Sequence, residues 1–214
     1  MENMKIIDTK TAIEFLLPRH YAGRKPPISI AFGWYDENDV LKAVCTFGKP
    51  VSNWLCSGVC GIEYTSNVYE LNRLCRDDDW NKPLSQFVGY CLRVIAERDW
   101  IIVSYSDTGM NHHGYIYQAC NFIYTGITKK RTDKWTEGNK HSRHYNNAEQ
   151  GEYRKVRTPK HRYVYFCTKN KKLKKKWLSE LRYPVLPYPK GDNKNYTLGE
   201  YQETELVKTL DNYK

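Results

Sequence analysis

The 214-residue chain has no run of about 18 apolar residues, so no segment reads as a membrane-crossing helix. Its opening, MENMKIIDTK, lacks the apolar core of a secretory signal. Both absences lead to the expectation of a cytosolic protein. Its seven cysteines are an odd number, scattered at positions 45, 56, 60, 75, 91, 120 and 167, which does not suit a disulfide framework. They read as reduced thiols packed like small hydrophobes. Cys56 and Cys60 stand at CxxxC spacing with Cys45 before them, but no second ligand pair follows at finger-like spacing. Internal repeats are absent. The size suits one domain of ordinary length, and 40% hydrophobic residues suffice for a core.

What is present is charge, unevenly placed. The net charge is +10. Between Lys129 and Lys176 there are 17 Lys and Arg against 4 Asp and Glu, a net +13, so the remainder carries −3. Aromatics interleave the basic third: Trp135, Tyr145, Tyr153, Tyr163, Tyr165 and Trp177. A solvated face would need the charge but not the aromatics, and the combination points to a polyanion, most simply nucleic acid. Lys129, Lys130 and Arg131 form one cluster. Lys171, Lys172, Lys174, Lys175 and Lys176 form another, and both are candidate phosphate contacts.

The periodicities predict a helix capped by Thr9 or Thr11 and ended by Pro18. Strands follow at Ile28–Trp34, Val40–Phe47 and Val68–Arg76. A loop at Asp77–Pro83 leads to a helix capped by Ser85, with Phe87, Cys91, Leu92 and Ile95 on its apolar face up to about Arg98. Next come a strand at Trp100–Tyr105, a helix from about Asn111 to Cys120 and, after a basic loop over Lys134–Lys155, a strand at His161–Thr168. A short basic helix carries Leu173, Trp177, Leu178 and Leu181, and PVLPYPKG reads as extended. This order argues for an α+β protein with a mixed sheet.

The most unusual stretch is SYSDTGMNHHGYIYQACNFIYTG, Ser104 to Gly126, which crowds proton-bearing side chains beside an apolar strand. Asp107 falls at the strand end, where it can cap the following helix from about Asn111 to Cys120. The run Ile116–Phe122 resembles the LYxxxGF end of the GNAT acyltransferase fold, with Asn121 where Gly is usual. Together with ELNRL at 70–74, NKPLSQF at 81–87 and the late RYVYF and YPVLPYPKG, the stretch resembles the bacteriophage Mom family over roughly residues 10–190. Those proteins add a carbamoylmethyl group at N6 of adenine in DNA and protect phage DNA from restriction.

The resemblance implies a GNAT-like catalytic domain over 1–168, with a basic, Pro-containing extension over 169–214 packed on or beside it. It implies that Tyr117 protonates the departing thiolate of a donor such as acetyl-CoA. It also implies that Arg73 and the loop with Asn81, Lys82, Ser85 and Gln86 hold the donor's pyrophosphate. No Gly lies between Asp77 and Phe87, so another acyl or aminoacyl donor stays open. Adenine N6 is a poor nucleophile and needs a base or polarising partner, for which Asp107 is the first candidate. His20, beside Tyr21, is the second, and Ser104 joins the catalytic set. His112 and His113 are candidates for a base or for an iron site, although adjacent His side chains diverge. The implied partner is double-stranded DNA with a flipped adenine in the cytoplasm of the host cell, with no membrane and with a homodimer open. Two other readings remain at this stage: a GNAT enzyme acting on protein, small amines or tRNA, and a non-catalytic nucleic-acid-binding protein.

Overall fold

The computed structural model describes residues 3–135, 152–192 and 205–208. Among these, a seven-stranded mixed sheet runs β1(Asn3–Ile7), β2(Ile30–Tyr35), β3(Leu41–Gly48), β4(Val68–Arg76), β5(Trp100–Asp107), β9(Lys160–Cys167), β6(Ile123–Ile127) in spatial order. Every neighbouring pair is antiparallel except β4 with β5. A small second sheet orders β10(Leu206–Lys208), β8(Tyr153–Arg157) and β7(Arg131–Lys134). The α+β class and mixed sheet are as the sequence predicts.

Side-chain alternation along β5 sorts the layers. Trp100 and Ile102 face the largest core, where α3(Leu84–Ile95) presents Phe87, Val88, Cys91, Leu92 and Ile95. Ile101 and Val103 face the opposite core with Cys56, Val59 and Cys60 of α2(Asn53–Cys60) and Trp177 of α5(Lys171–Ser179). α1(Thr9–Leu16) covers β2 and β3 on that second side through Ala12, Phe15 and Leu16. The basic helix α5 is therefore seated on the sheet: its Trp177 is 1% exposed while its lysines point to solvent.

Several local expectations change. The first helix is capped by Asp8, whose carboxylate accepts from Thr11 N at 2.9 Å, rather than by Thr9 or Thr11. α3 begins one turn-position before Ser85, with Pro83 as N-cap and no side-chain cap bond. The helix expected from Asn111 starts only at Tyr115 and runs to Ala119 as α4. Asn111 (φ 53°) and Gly114 (φ 75°) are both left-handed and break the helical path before it. β1, α2 and the β7–β8 ladder are additions; β8 takes up Tyr153–Lys155, the end of the expected basic loop. Residues 136–151 of that loop, Tyr145 included, lie outside the described residues.

The feature that shapes the site is an opening in the sheet. β4 and β5 pair only from Val68↔Ile101 to Leu71↔Ser104, yet β4 continues to Arg76 and β5 to Asp107. A bulge sits where they part. Leu71 opposes Phe47 and Arg73 opposes Thr46, which leaves Asn72 as the extra residue. Thr46 Oγ1 donates to Asn72 Oδ1, and Asn72 Nδ2 donates to Pro27 O, both at 2.7 Å, so the bulge is held by side-chain bonds.

Candidate active site

A cavity of about 820 Å³ fills the opening between β4 and β5. Leu74, Leu84, Ile116 and Tyr117 line it from the α3 side, all packed on that core. Leu55 and Tyr105 line it from the α2 side, packed on the other. The cavity thus passes through the sheet, because the splayed strands leave no ladder to close it. Among the described residues its walls carry Arg73, Arg76, Lys129, Arg131, Arg157 and Lys160 against only Glu70 and Asp78 as carboxylates. This lining suits an anionic ligand.

Tyr117 is where the sequence places it, on α4 with its ring between Phe122 and Tyr163, at 5.4 Å from each ring centre. Burial raises its phenol well above the ordinary range, while a hydrogen bond with Ser104 works the other way. The hydroxyl therefore keeps its proton at neutral pH. Ser104 also donates to Leu71 O at 3.0 Å, tying β5 to β4 at the last residue before they part. Asn121 ends the α4 turn at φ 59°. Asn is the non-glycine residue best suited to that conformation, which accounts for the departure from the Gly of the motif.

Asp107 does not line the cavity. It is 3% exposed. Its Oδ2 meets Lys160 Nζ at 2.5 Å, its Oδ1 accepts from Thr158 Oγ1 at 2.5 Å, and Gly109 N donates to Oδ1 at 3.0 Å. The β5–β9 register sets this pair directly opposite, Asp107↔Lys160. Burial pushes the carboxyl up, but Lys160 and the two other donors outweigh it, so it stays below the usual range. Asp107 is an ionised positioning group that aims Lys160 and Thr158, both of which do line the cavity. The helix expected from Asn111 to Cys120 would have carried Tyr117 on one continuous path from the strand end at Asp107, which the left-handed Asn111 and Gly114 interrupt.

His20 lines the cavity in a buried position, stacked on Tyr21 at 4.4 Å between ring centres. Burial, then Arg73, Lys160 and His112, lower its pKa to about 3. Its Nδ1 accepts from Ala22 N at 3.1 Å. A neutral ring that accepts through Nδ1 carries its proton on Nε2, so His20 is a donor rather than a base. His112 lines the cavity edge-on to Tyr21, whereas His113 packs toward His161 and Gly191. Among the described residues no group of three or more His, Cys, Asp or Glu is placed to hold a metal ion, so the iron expectation finds no donor set. All seven cysteines are free thiols, six of them buried.

Several cavity residues are not singled out by the sequence, among them Arg76, Arg157, Thr158 and Lys160, and two more stand out by chemistry. Glu70 sits inside ELNRL, one residue before the strands part. Burial raises its carboxyl above the usual range, opposed by Arg73, Lys160 and Arg157. Ser106 is 5% exposed, and its Oγ has no hydrogen-bond partner among the described residues. Only the three-dimensional splay sets these two apart from other strand residues. The expected donor loop is divided. Arg73 lines the main cavity and Asn81 and Lys82 are exposed. Ser85 and Gln86 line a second cavity of about 400 Å³ on the far side of α3. Lys129 and Arg131 line the main cavity, while Lys130 pairs with Glu205 at 3.5 Å.

Residues 3–190 match the model of the Mom protein family. The chain belongs to the Mom family. Its motifs at 70–74 and 104–126 are thus family sequence that contributes to the main cavity, while 81–87 is divided between that cavity, through Leu84, and the second one. No curated protein matches this Mom-family chain. Similar solved structures include the ribosomal-protein-S18-alanine N-acetyltransferase from Escherichia coli, 8% identical with a TM-score of 0.49, covering 79% of this chain and 96% of that one. A putative acetyltransferase from Acinetobacter baylyi ADP1 is 9% identical with a TM-score of 0.49, covering 78% and 93%. The putative acetyltransferase yncA from Salmonella typhimurium with its cofactor acetyl-CoA is 8% identical with a TM-score of 0.47, covering 79% and 96%.

Proposed function

We propose that the chain is a group-transfer enzyme acylating N6 of an adenine swung out of duplex DNA with an acyl or aminoacyl group. The new bond joins N6 to the donor's carbonyl carbon as the C–S bond breaks. A glycyl group transferred in this way has the atoms of carbamoylmethyl with its carbonyl carbon, in place of its methylene, on N6. Membership of the Mom family supports this reading, and one observation carries it: the cavity is open through the sheet. A donor enters from the α3 side and an acceptor from the α2 side, and they meet at the level of Leu71 and Ser104. β4 beyond Leu71 has a backbone edge with no ladder partner on β5, which can take an extended donor chain as a further strand would. An acyl or aminoacyl thioester such as acetyl-CoA fits that entrance, and Arg73 and Arg76 supply charge for its phosphates.

Each side chain then has a task. Glu70, whose carboxyl burial raises above the usual range, takes the proton from N6 in its ionised form as the amine attacks. Tyr117 gives its proton to the departing thiolate. The same burial that raises the phenol would raise a thiolate beside it, so the two remain matched. His20 Nε2–H is a hydrogen-bond donor inside the cavity. The cationic wall of Lys129, Arg131 and Arg157 receives phosphates and repels a cationic amine, which favours DNA over lysine-bearing protein or polyamine acceptors. The test is direct. The protein is expressed in cells, their DNA is digested to nucleosides, and mass spectrometry looks for a deoxyadenosine heavier by the transferred group. Unmodified deoxyadenosine at full soluble expression would overturn the proposal.

A further inference from the structure

Trp54 is 88% exposed, whereas the other described tryptophans, Trp34, Trp80, Trp100, Trp135 and Trp177, are buried or half-buried. A single exposed indole is ordinary on a protein surface. Its place is not ordinary. It lies in the first turn of α2, a helix capped by Ser52 Oγ, which accepts from Leu55 N at 3.3 Å. Ser52 and Leu55, on either side of it in sequence, line the cavity, and so does Val51, which is 68% exposed. Lys129, Arg131 and Arg157 line the same cavity.

We propose that Trp54, backed by Val51, is a wedge that enters the base stack of duplex DNA and fills the space vacated by the base drawn into the cavity. The idea rests on the DNA reading above and adds the element that pulls the duplex open. Apolar side chains inserted between base steps unstack and kink DNA. A flipped base leaves its neighbours unstacked, and an aromatic ring replaces that contact without regard to sequence. The capped helix fixes the backbone that carries the ring beside the opening, as a wedge requires. The cationic wall decides the occupant, since it attracts a polyanion. A second copy of this +10 chain would bring like charge to the same place.

The probe is duplex DNA carrying 2-aminopurine in place of adenine at successive positions, since its emission rises when it leaves the stack. The parent protein should raise the emission. Trp54→Ala should lose that rise and bind the paired duplex about tenfold more weakly, in line with base–aromatic stacking. Trp54→Phe should keep most of both. With an abasic nucleotide opposite the adenine the base is already loosened, and Trp54→Ala should bind within about twofold of the parent, since little stacking is left to replace. Equal emission from parent and Trp54→Ala overturns the proposal. So does an equal drop in affinity on both duplexes, which would make Trp54 a simple contact, or a change only in self-association. The two readings fail differently. Trp54-dependent emission without modified deoxyadenosine in cells sinks the adenine chemistry and keeps the wedge. Full modification by Trp54→Ala sinks the wedge and keeps the chemistry.

Discussion

Tyr117→Phe removes one oxygen and keeps the ring that packs between Phe122 and Tyr163. General acid–base groups are worth about 10²–10⁴-fold, so modified deoxyadenosine should fall by that factor while the melting temperature and DNA affinity hold. Glu70→Gln should match it, with a further signature in pH. The raised carboxyl must lose its proton to act, so the parent rate climbs as pH rises through that raised value, and the Gln variant should lack the limb. Stability runs the opposite way. A carboxyl whose folded pKa is raised stabilises most below its unfolded value and loses that contribution as pH climbs to the folded one. Glu70→Gln should therefore gain stability over the parent as pH increases. Asp107 has the reverse sign, its folded pKa being lowered. Its contribution is full above the unfolded pKa and fades as pH falls through the folded one. Asp107→Asn should cost about 2 kcal/mol at neutral pH, as expected for charge-assisted bonds, with a smaller deficit in acid denaturation. Much of this site was legible in the sequence, since Tyr117, Arg73 and His20 could be named from motif and residue type. Glu70 and Ser106 could not, because alternation along a strand does not tell which cross-strand partner is missing.

At the scale of elements, α4 depends on one backbone position. Gly114 has φ 75°, and a Cβ there would lie 2.5 Å from the Tyr163 ring. Tyr163 is fully buried and its hydroxyl donates to His113 O at 2.5 Å, so it has no room to retreat. Gly114→Ala should lower the melting temperature and also cut activity by shifting Tyr117, whereas an alanine at exposed Asn81 should do neither. The long elements were legible because each shows a clear period: β4 was read over its full span, and α3, β5 and β9 to within a few residues at their ends. The misses share a cause. β1 is a short edge strand, α2 has eight residues without a charge, and β7 and β8 are too basic to show a buried face. The helix start at Tyr115 was hidden by two left-handed residues that only backbone geometry reveals.

At the scale of the molecule, α5 and the cavity mouth lie on the same side of the sheet, since Trp177 packs with Val59 and Cys60 of the helix whose start rims the mouth. Replacing Lys171, Lys172, Lys174 and Lys175 by Ala should weaken binding to all duplex sequences alike. It should also reduce the slope of log affinity against log salt by about 0.9 for each phosphate that is no longer neutralised. An unchanged slope would make α5 a solvated face. The opening between β4 and β5 also has a mechanical meaning. Four residue pairs join one half of the sheet, β1 to β4, to the other, so the seam is a short hinge tied across one face by the α3 core. A molecule laid along the free edge of β4 would act as a splint across that hinge. Donor alone, without DNA, should therefore slow amide exchange in the Asn72–Arg76 stretch and at the end of β5, and raise the melting temperature with donor concentration. The protein would then stiffen before DNA arrives, and the acceptor would meet a frame already braced.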